Sequence, residues 1–257
     1  MKLDLNVSLA AGYKSSPQIA RVVTENWASQ NLFCPACPSN SLRQFPTNTR
    51  AVDFLCPNCN RAFQLKSSRT WNQHKIIDSA YSSMIAAIRS DSVPNLMVMQ
   101  YTPQWKVQNL LFVPSFFFTE TSIEKRNPLS PSARRAGWVG CNILLREIPP
   151  DGKLILVADG ILIPRELVRE RFNLIKPLSM LKANVRGWTL SVLNIVRLVG
   201  KSEFSLFDIY EFEEKLTEKY PRNQNVRPKI RQQLQKLRDF GLLEFLGQGR
   251  YRVISVK

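Results

Sequence analysis

Two Cys-x-x-Cys pairs, Cys34-Pro-Ala-Cys37 and Cys56-Pro-Asn-Cys59, constrain this chain more than any other feature. Each pair presents two sulfurs from a tight turn, and two such turns complete a tetrahedral thiolate shell for Zn²⁺. A four-cysteine shell leaves no open position for substrate, so the expected metal is structural. Disulfides fit poorly, because the chain has 5 cysteines, which leaves Cys141 over, and nothing marks it as secreted.

Between and after the knuckles, Ala51-Val-Asp-Phe-Leu55 and Ala62-Phe-Gln-Leu-Lys66 read as two strands, with the second knuckle in the turn that joins them. Strand side chains alternate between faces, so Gln64 and Lys66 share one. Asp53 lies on the neighbouring strand. A carboxylate, an amide oxygen and an ammonium can therefore converge: Asp53 and Gln64 as Mg²⁺ ligands, Lys66 to orient a water and meet charge developing on a phosphate. The zinc would keep these strands in register. Of an ordinary half-exposed hairpin the same pattern would say nothing, so the rest of the chain must decide.

The remainder points to a polyanion. Net charge is +16 and the sequence pI about 10.0, which makes nucleic acid the first expected partner. The most apolar stretch, residues 110–118, is short and broken by Pro114, so no bilayer span is expected. The first residues carry no sustained apolar run, and the expectation is a cytoplasmic protein. A single histidine, His74, excludes chemistry that needs several imidazoles. It sits in a polar loop with Arg69, Trp71 and Lys75, close after Lys66.

In chain order, residues 15–28 read as an amphipathic helix with Pro17 near its first turn and Ile19, Val22, Val23 and Trp27 at helical spacing. Glu25 lies on another face, where it could complete a metal site or simply be solvated. Residues 78–89 read as a second helix, and residues 95–101 and 107–113 as buried strands. Residues 121–140 read as a loop carrying Arg134, Arg135 and Trp138, a combination suited to phosphate, guanine and base stacking. This gives a mixed α/β domain over residues 1–182.

Residues 183–257 read as a second domain: helices at 188–199, 204–220 and 226–240, then a hairpin with a Gly-Gln-Gly tip, the order of a winged helix-turn-helix. Charge separates its faces. Residues 203–220 hold 6 acidic and 2 basic side chains, residues 222–257 hold 9 basic and 2 acidic. Arg227, Lys229, Arg231, Gln232, Gln233 and Lys236 are the expected DNA contacts on the third helix, where Arg suits guanine and Gln suits adenine.

The paired knuckles around Asp53, the Gln64-x-Lys66 strand, the run Pro131-Ser-Ala-Arg-Arg-Ala-Gly-Trp-Val-Gly-Cys-Asn142, Arg186-Gly-Trp-Thr189 and Ile230-Arg-Gln-Gln-Leu-Gln-Lys-Leu-Arg-Asp239 together resemble the DpnI-type restriction endonucleases. The resemblance spans nearly the whole chain. It implies a PD-(D/E)xK nuclease core with an inserted four-cysteine zinc module, followed by a winged helix that also inspects methylated DNA. It further implies cleavage of both strands at GATC carrying N6-methyladenine, Mg²⁺ held by Asp53, Gln64 and the Leu65 carbonyl, Lys66 at the attacking water, Trp138 as a sensor of the adenine methyl groups, and a monomeric enzyme. One position departs: where the superfamily pattern has an acidic residue, this chain has Gln64, a weaker Mg²⁺ ligand. That departure keeps open a second reading, a non-enzymatic zinc-ribbon and winged-helix reader of methylated DNA.

Overall fold

The computed structural model describes residues 1–46, 51–70 and 72–254. Helix α1 (Ser16–Asn31) opens the chain, with Pro17 in its first turn and Val23, Thr24, Trp27 and Ala28 buried. Then follow β1 (Arg43–Gln44), β2 (Phe54–Leu55), β3 (Ala62–Ser68), β4 (Lys75–Ala80), α2 (Tyr81–Arg89), β5 (Asn95–Tyr101), β6 (Val107–Val113), β7 (Ile123–Lys125), β8 (Gly140–Leu144), β9 (Leu154–Ala158), β10 (Ile161–Leu162) and α3 (Arg165–Ile175). The C-terminal part contributes α4 (Ala183–Val199), β11 (Glu203–Ser205), α5 (Leu206–Tyr210), α6 (Glu213–Lys219), α7 (Val226–Asp239), β12 (Leu243–Gly247) and β13 (Arg250–Val253).

Two compact units result, each built from separate stretches of chain. The first, residues 1–72, 94–115 and 152–173, holds a seven-stranded mixed sheet in the order β1-β2-β3-β5-β6-β9-β10. Its pairs are antiparallel except β3 with β5, which run parallel from Phe63 opposite Asn95 to Ser68 opposite Gln100. A parallel pair cannot be closed by a tight turn, and here the crossover takes in β4 and α2. The core is aromatic: Phe54, Phe63, Phe112 and Phe172 are fully buried, with Phe112 tilted against Phe63 at 6.0 Å and against Phe172 of α3 at 6.2 Å between centroids. Helix α1 is tied to β3 by Thr24 Oγ1 and Ser67 Oγ, 3.1 Å apart.

The second unit, residues 73–93, 116–151 and 174–257, combines the C-terminal helices with a three-stranded antiparallel sheet, β4-β8-β7. This sheet corrects the sequence reading in two places. Residues 75–80 form a strand before the helix, which begins only at Tyr81, and residues 121–140 are flanked by strands instead of looping throughout. The pairing joins Asp78 to Cys141, partners too far apart in sequence for local periodicity to report. Two charged contacts fasten the C-terminal helices to the rest of the unit: Arg197 Nε donates to Asp151 at 2.8 Å and Lys219 Nζ to Glu147 at 2.7 Å. Arg186, nearly fully buried, donates to Asp91 at 2.5 Å.

Within residues 183–254 the three-helix order is as expected, with the middle helix divided into α5 and α6. Ser205 and Asp208 form a reciprocal cap at the start of α5. Strand β11 joins the C-terminal hairpin in a three-stranded wing, β11-β13-β12. At the wing tip Gly247, Gln248 and Gly249 all have positive φ, 89°, 48° and 73°, a backbone that glycine adopts at no steric cost. Among the described residues no helix is long and apolar enough to cross a membrane.

Candidate active site and nucleic-acid interface

The four cysteines of the knuckles come together. Sγ of Cys34 lies 3.6 Å from that of Cys59, Sγ of Cys37 lies 3.4 Å from that of Cys56, and all four fall within 4.8 Å of one another. A tetrahedron with Zn–S of about 2.3 Å requires sulfurs ~3.8 Å apart, so this cluster fits a zinc ion. Burial pushes the Cys34 and Cys37 thiols up. At Cys56 burial acts in the same direction but is outweighed by the backbone N–H groups of Cys59 and Asn58, which bring the thiol down to about 7.

Each knuckle is braced locally. The second sits in the β2–β3 turn, where the Cys56 amide donates to the Arg61 carbonyl at 2.9 Å and the Asn60 amide to the Cys56 carbonyl at 3.0 Å. The first follows α1 and is clasped by α3: Arg169 donates to the carbonyls of Cys34 at 3.3 Å and Ser39 at 2.9 Å, and to Asn40 Oδ1 at 3.0 Å. Arg165 and Arg169 both lie over the Phe33 ring, 5.3 Å from its centroid. No sequence motif marks α3, because it acts on backbone carbonyls that carry no side-chain signature.

The same turn places Asp53. Strand β2 pairs with β3 only at Phe54–Phe63 and Leu55–Ala62, and the Asp53 amide adds one bond to the Phe63 carbonyl at 2.9 Å. Beyond that point the Asp53 side chain continues where the backbone ladder stops: Oδ2 accepts from the Leu65 amide at 2.7 Å. The carboxylate is thereby held beside the residue flanked by Gln64 and Lys66. Asp53, Gln64, Leu65 and Lys66 are all half-buried, at neither a dry core nor an open surface. This brings the expected constellation together at the level of backbone register.

Glu25 reaches the same neighbourhood but is engaged. Arg21 Nε donates to Glu25 Oε1 at 2.8 Å and Gln44 Nε2 to Glu25 Oε2 at 3.2 Å. The bond to Glu25 raises the Arg21 pKa, and the charge of Asp53 adds to it. Arg21 is thus a cation within electrostatic range of the Asp53 carboxylate, which the sequence reading missed. His74 is exposed, and Trp71 lies outside the described residues. Arg69 stands over a stacked pair, 5.3 Å from the Trp105 centroid and 6.0 Å from that of Tyr101.

In the second unit, residues 126–140 form a hairpin-like excursion closed by Arg126 N–H to Gly140 C=O at 3.0 Å and Leu129 N–H to Trp138 C=O at 2.9 Å. Arg134 and Arg135 are exposed and Trp138 half-buried. The Arg135 guanidinium lies 4.7 Å from the Trp138 ring centroid. A Cβ at position 140 would stand 2.8 Å from two atoms of that indole, so glycine there is what lets the ring lie back over the start of β8. Trp138 is therefore half-buried, with the far edge of its indole against Gly140 and the Arg135 guanidinium over its ring.

On α7, Arg227, Arg231 and Gln232 are exposed, and Lys229 and Lys236 half-exposed. With Arg222, Asn223, Gln224, Asn225 and Pro228, residues Lys229 and Gln232 line an open depression of about 440 Å³ at the helix start. Gln233 is a correction. It is fully buried, its Oε1 accepting from Thr189 Oγ1 at 2.8 Å, and it belongs to the α4–α7 interface, not to the exposed face of α7 that carries Arg227, Arg231 and Gln232. Its position was readable: it falls three residues after Ile230 and four before Leu237, on the buried stripe of the helix.

Two family models match the chain, the DpnI model described as the Dam-replacing family over residues 1–181 and the DpnI C-terminal model described as the Dam-replacing HTH domain over residues 184–253. The chain belongs to the DpnI family. Membership supports a methylation-dependent restriction enzyme in general, and thus a nuclease, with a helix-turn-helix that points to DNA binding. Family position also gives context to the runs 131–142 and 186–189. Much of the latter is packing: Trp188 stacks on Tyr220 at 4.1 Å, and Thr189 and Arg186 are buried.

Proposed function

We propose that this chain is a Mg²⁺-dependent endonuclease that hydrolyses both strands of duplex DNA at GATC sites carrying N6-methyladenine, built on a PD-(D/E)xK core. The observation that carries the reading is the bond from the Leu65 amide to Asp53, which pins the carboxylate across Gln64 and Lys66. Asp53 has a second oxygen to offer a hard cation, and the Gln64 amide oxygen and the Leu65 carbonyl complete an all-oxygen donor set of the kind Mg²⁺ takes. When bound there, Mg²⁺ would supply Lewis-acid stabilisation of the phosphate and lower the pKa of a water. Lys66 holds the attacking water and meets charge on the phosphoryl oxygens. Arg21 adds a positive charge within electrostatic range of that carboxylate.

Zinc at Cys34, Cys37, Cys56 and Cys59 is the structural metal in this reading. DNA is held by Arg134, Arg135 and Trp138 in the first family-matched region, and by Arg227, Lys229, Arg231, Gln232 and Lys236 in the second. Burying one methyl group contributes only about 0.8 kcal/mol, so discrimination must come from a pocket that is left badly filled without it. The half-buried Trp138 ring, with Arg135 over it, is the surface suited to that. The protein acts as a monomer in the cytoplasm.

The test incubates the protein with Mg²⁺ and two plasmid preparations that differ only in adenine methylation at GATC, beside a Lys66→Ala control. Fragmentation of the methylated plasmid alone, lost in the control while DNA binding persists, is the expected result. Equal cutting of both plasmids would overturn the specificity. Methyl-selective binding with no cutting of either would favour the second reading, a reader in which Gln64 has replaced a metal-binding carboxylate.

A further inference from the structure

An arginine that reads a base is more selective when its guanidinium is held before the DNA arrives, because a free side chain loses rotamer freedom on binding. Helix α7 carries two exposed arginines four residues apart, Arg227 and Arg231, which as like charges repel one another on a bare helix. Both converge on one side chain of α5. Arg231 Nε donates to the Tyr210 hydroxyl at 2.7 Å, with its guanidinium 6.0 Å from the ring centroid. Arg227 lies 4.9 Å from that same ring centroid.

The two arginines are held differently. Arg227 Nε also donates to Glu213 of α6 at 2.7 Å, so a carboxylate offsets its charge. Arg231 bonds a neutral phenol, and the bond is made at Nε. That leaves the terminal pair Nη1 and Nη2, the parallel donors whose spacing matches guanine O6 and N7.

We propose that Tyr210 is a positioning residue for sequence readout: its hydroxyl fixes Arg231 for bidentate recognition of a guanine in the major groove, while its ring and Glu213 hold Arg227 away from that edge. The proposal rests on the reading of α7 as the DNA face. Tyr210 itself touches no base.

The test uses the full-length protein without Mg²⁺, and three duplexes: the methylated site, the same site with 7-deazaguanine in place of guanine, and a scrambled sequence. Tyr210→Phe keeps the ring and its contact with Arg227 and removes only the hydroxyl. Its preference for the methylated site over the scrambled duplex should fall roughly tenfold, within the range of one bidentate base contact, with scrambled-duplex affinity and its salt dependence unchanged. The Phe substitution should add nothing to Arg231→Ala, and should make the protein indifferent to 7-deazaguanine. Undiminished preference in Tyr210→Phe, or a loss that adds fully to that of Arg231→Ala, would overturn the proposal alone. A wild-type protein with no preference for the methylated site would instead remove the functional reading and this proposal together.

Discussion

The Leu65 amide donates to Asp53 Oδ2 at 2.7 Å, so a side chain takes the next rung of the β2–β3 ladder and fixes a carboxylate against the Gln64-x-Lys66 strand. This bond has two separable parts, an acceptor for a backbone donor and a negative charge. Asp53→Asn keeps the acceptor and removes the charge. It should leave the melting temperature nearly unchanged while cleavage falls by roughly 10²–10³-fold, the scale seen when one electrostatic contact to a transition state is lost. Asp53→Ala removes both, leaves the part-buried amide unsatisfied, and should cost about 1–3 kcal/mol of stability in addition. Equal stability of the two variants would show that the bond does not support the strand.

The zinc knuckle and this bond share one turn, so stripping the metal should be felt at Asp53. Structural zinc sites contribute folding free energy directly, and their thiols must be deprotonated to bind. The expected stoichiometry is one zinc per chain. After chelation, amide exchange at Leu65 should accelerate along with that of Cys56 and Asn60, while α7 stays protected. Cleavage should return on adding zinc followed by Mg²⁺, and not with Mg²⁺ alone. Protection at Leu65 that survives complete zinc removal would separate the two features.

The cap on α5 predicts a pH dependence. Lys201 and the Ser205 hydroxyl and amide hold the Asp208 carboxyl well below the usual carboxylate range. A carboxyl whose folded pKa is depressed stabilises the fold above its unfolded pKa, near 4, and that contribution is lost as pH falls below it. Asp208→Asn should therefore lower the melting temperature by about 2–4 °C at pH 7, with the gap to wild type closing as pH falls below about 4. A gap that stays constant down to pH 3 would place the effect elsewhere.

What the sequence made legible was what local spacing encodes. The cysteine pairs, the alternation at Gln64 and Lys66, the Val23–Trp27 stripe of α1 and the Gly-Gln-Gly wing tip are each a pattern within a few residues, and each has its expected structural counterpart. The β4-β8-β7 sheet was not legible, because Asp78 meets Cys141 across a long stretch of chain and Ile77 remains exposed, giving no alternation to read. Arg21 and Arg169 were missed for a related reason: one matters through its distance to Asp53, the other through carbonyls of the first knuckle. Both relations exist only after folding.

Gln233 shows the opposite case, a residue whose chemistry suggested DNA but whose helical position placed it inside. Thr189 and Gln233 face each other across α4 and α7 with both side chains fully buried. Removing one partner strands the other, which costs about 1–3 kcal/mol, whereas replacing both with apolar groups of similar shape can be nearly neutral. Thr189→Val and Gln233→Leu should thus each destabilise the chain, and the double variant should recover most of the loss, a coupling read from a denaturant double-mutant cycle. Because neither side chain reaches solvent, the double variant should also bind methylated duplex as the wild type does. Restored stability with lost site preference would return Gln233 to the DNA face; restored stability with preference intact would leave adenine readout to Gln232 and its exposed neighbours.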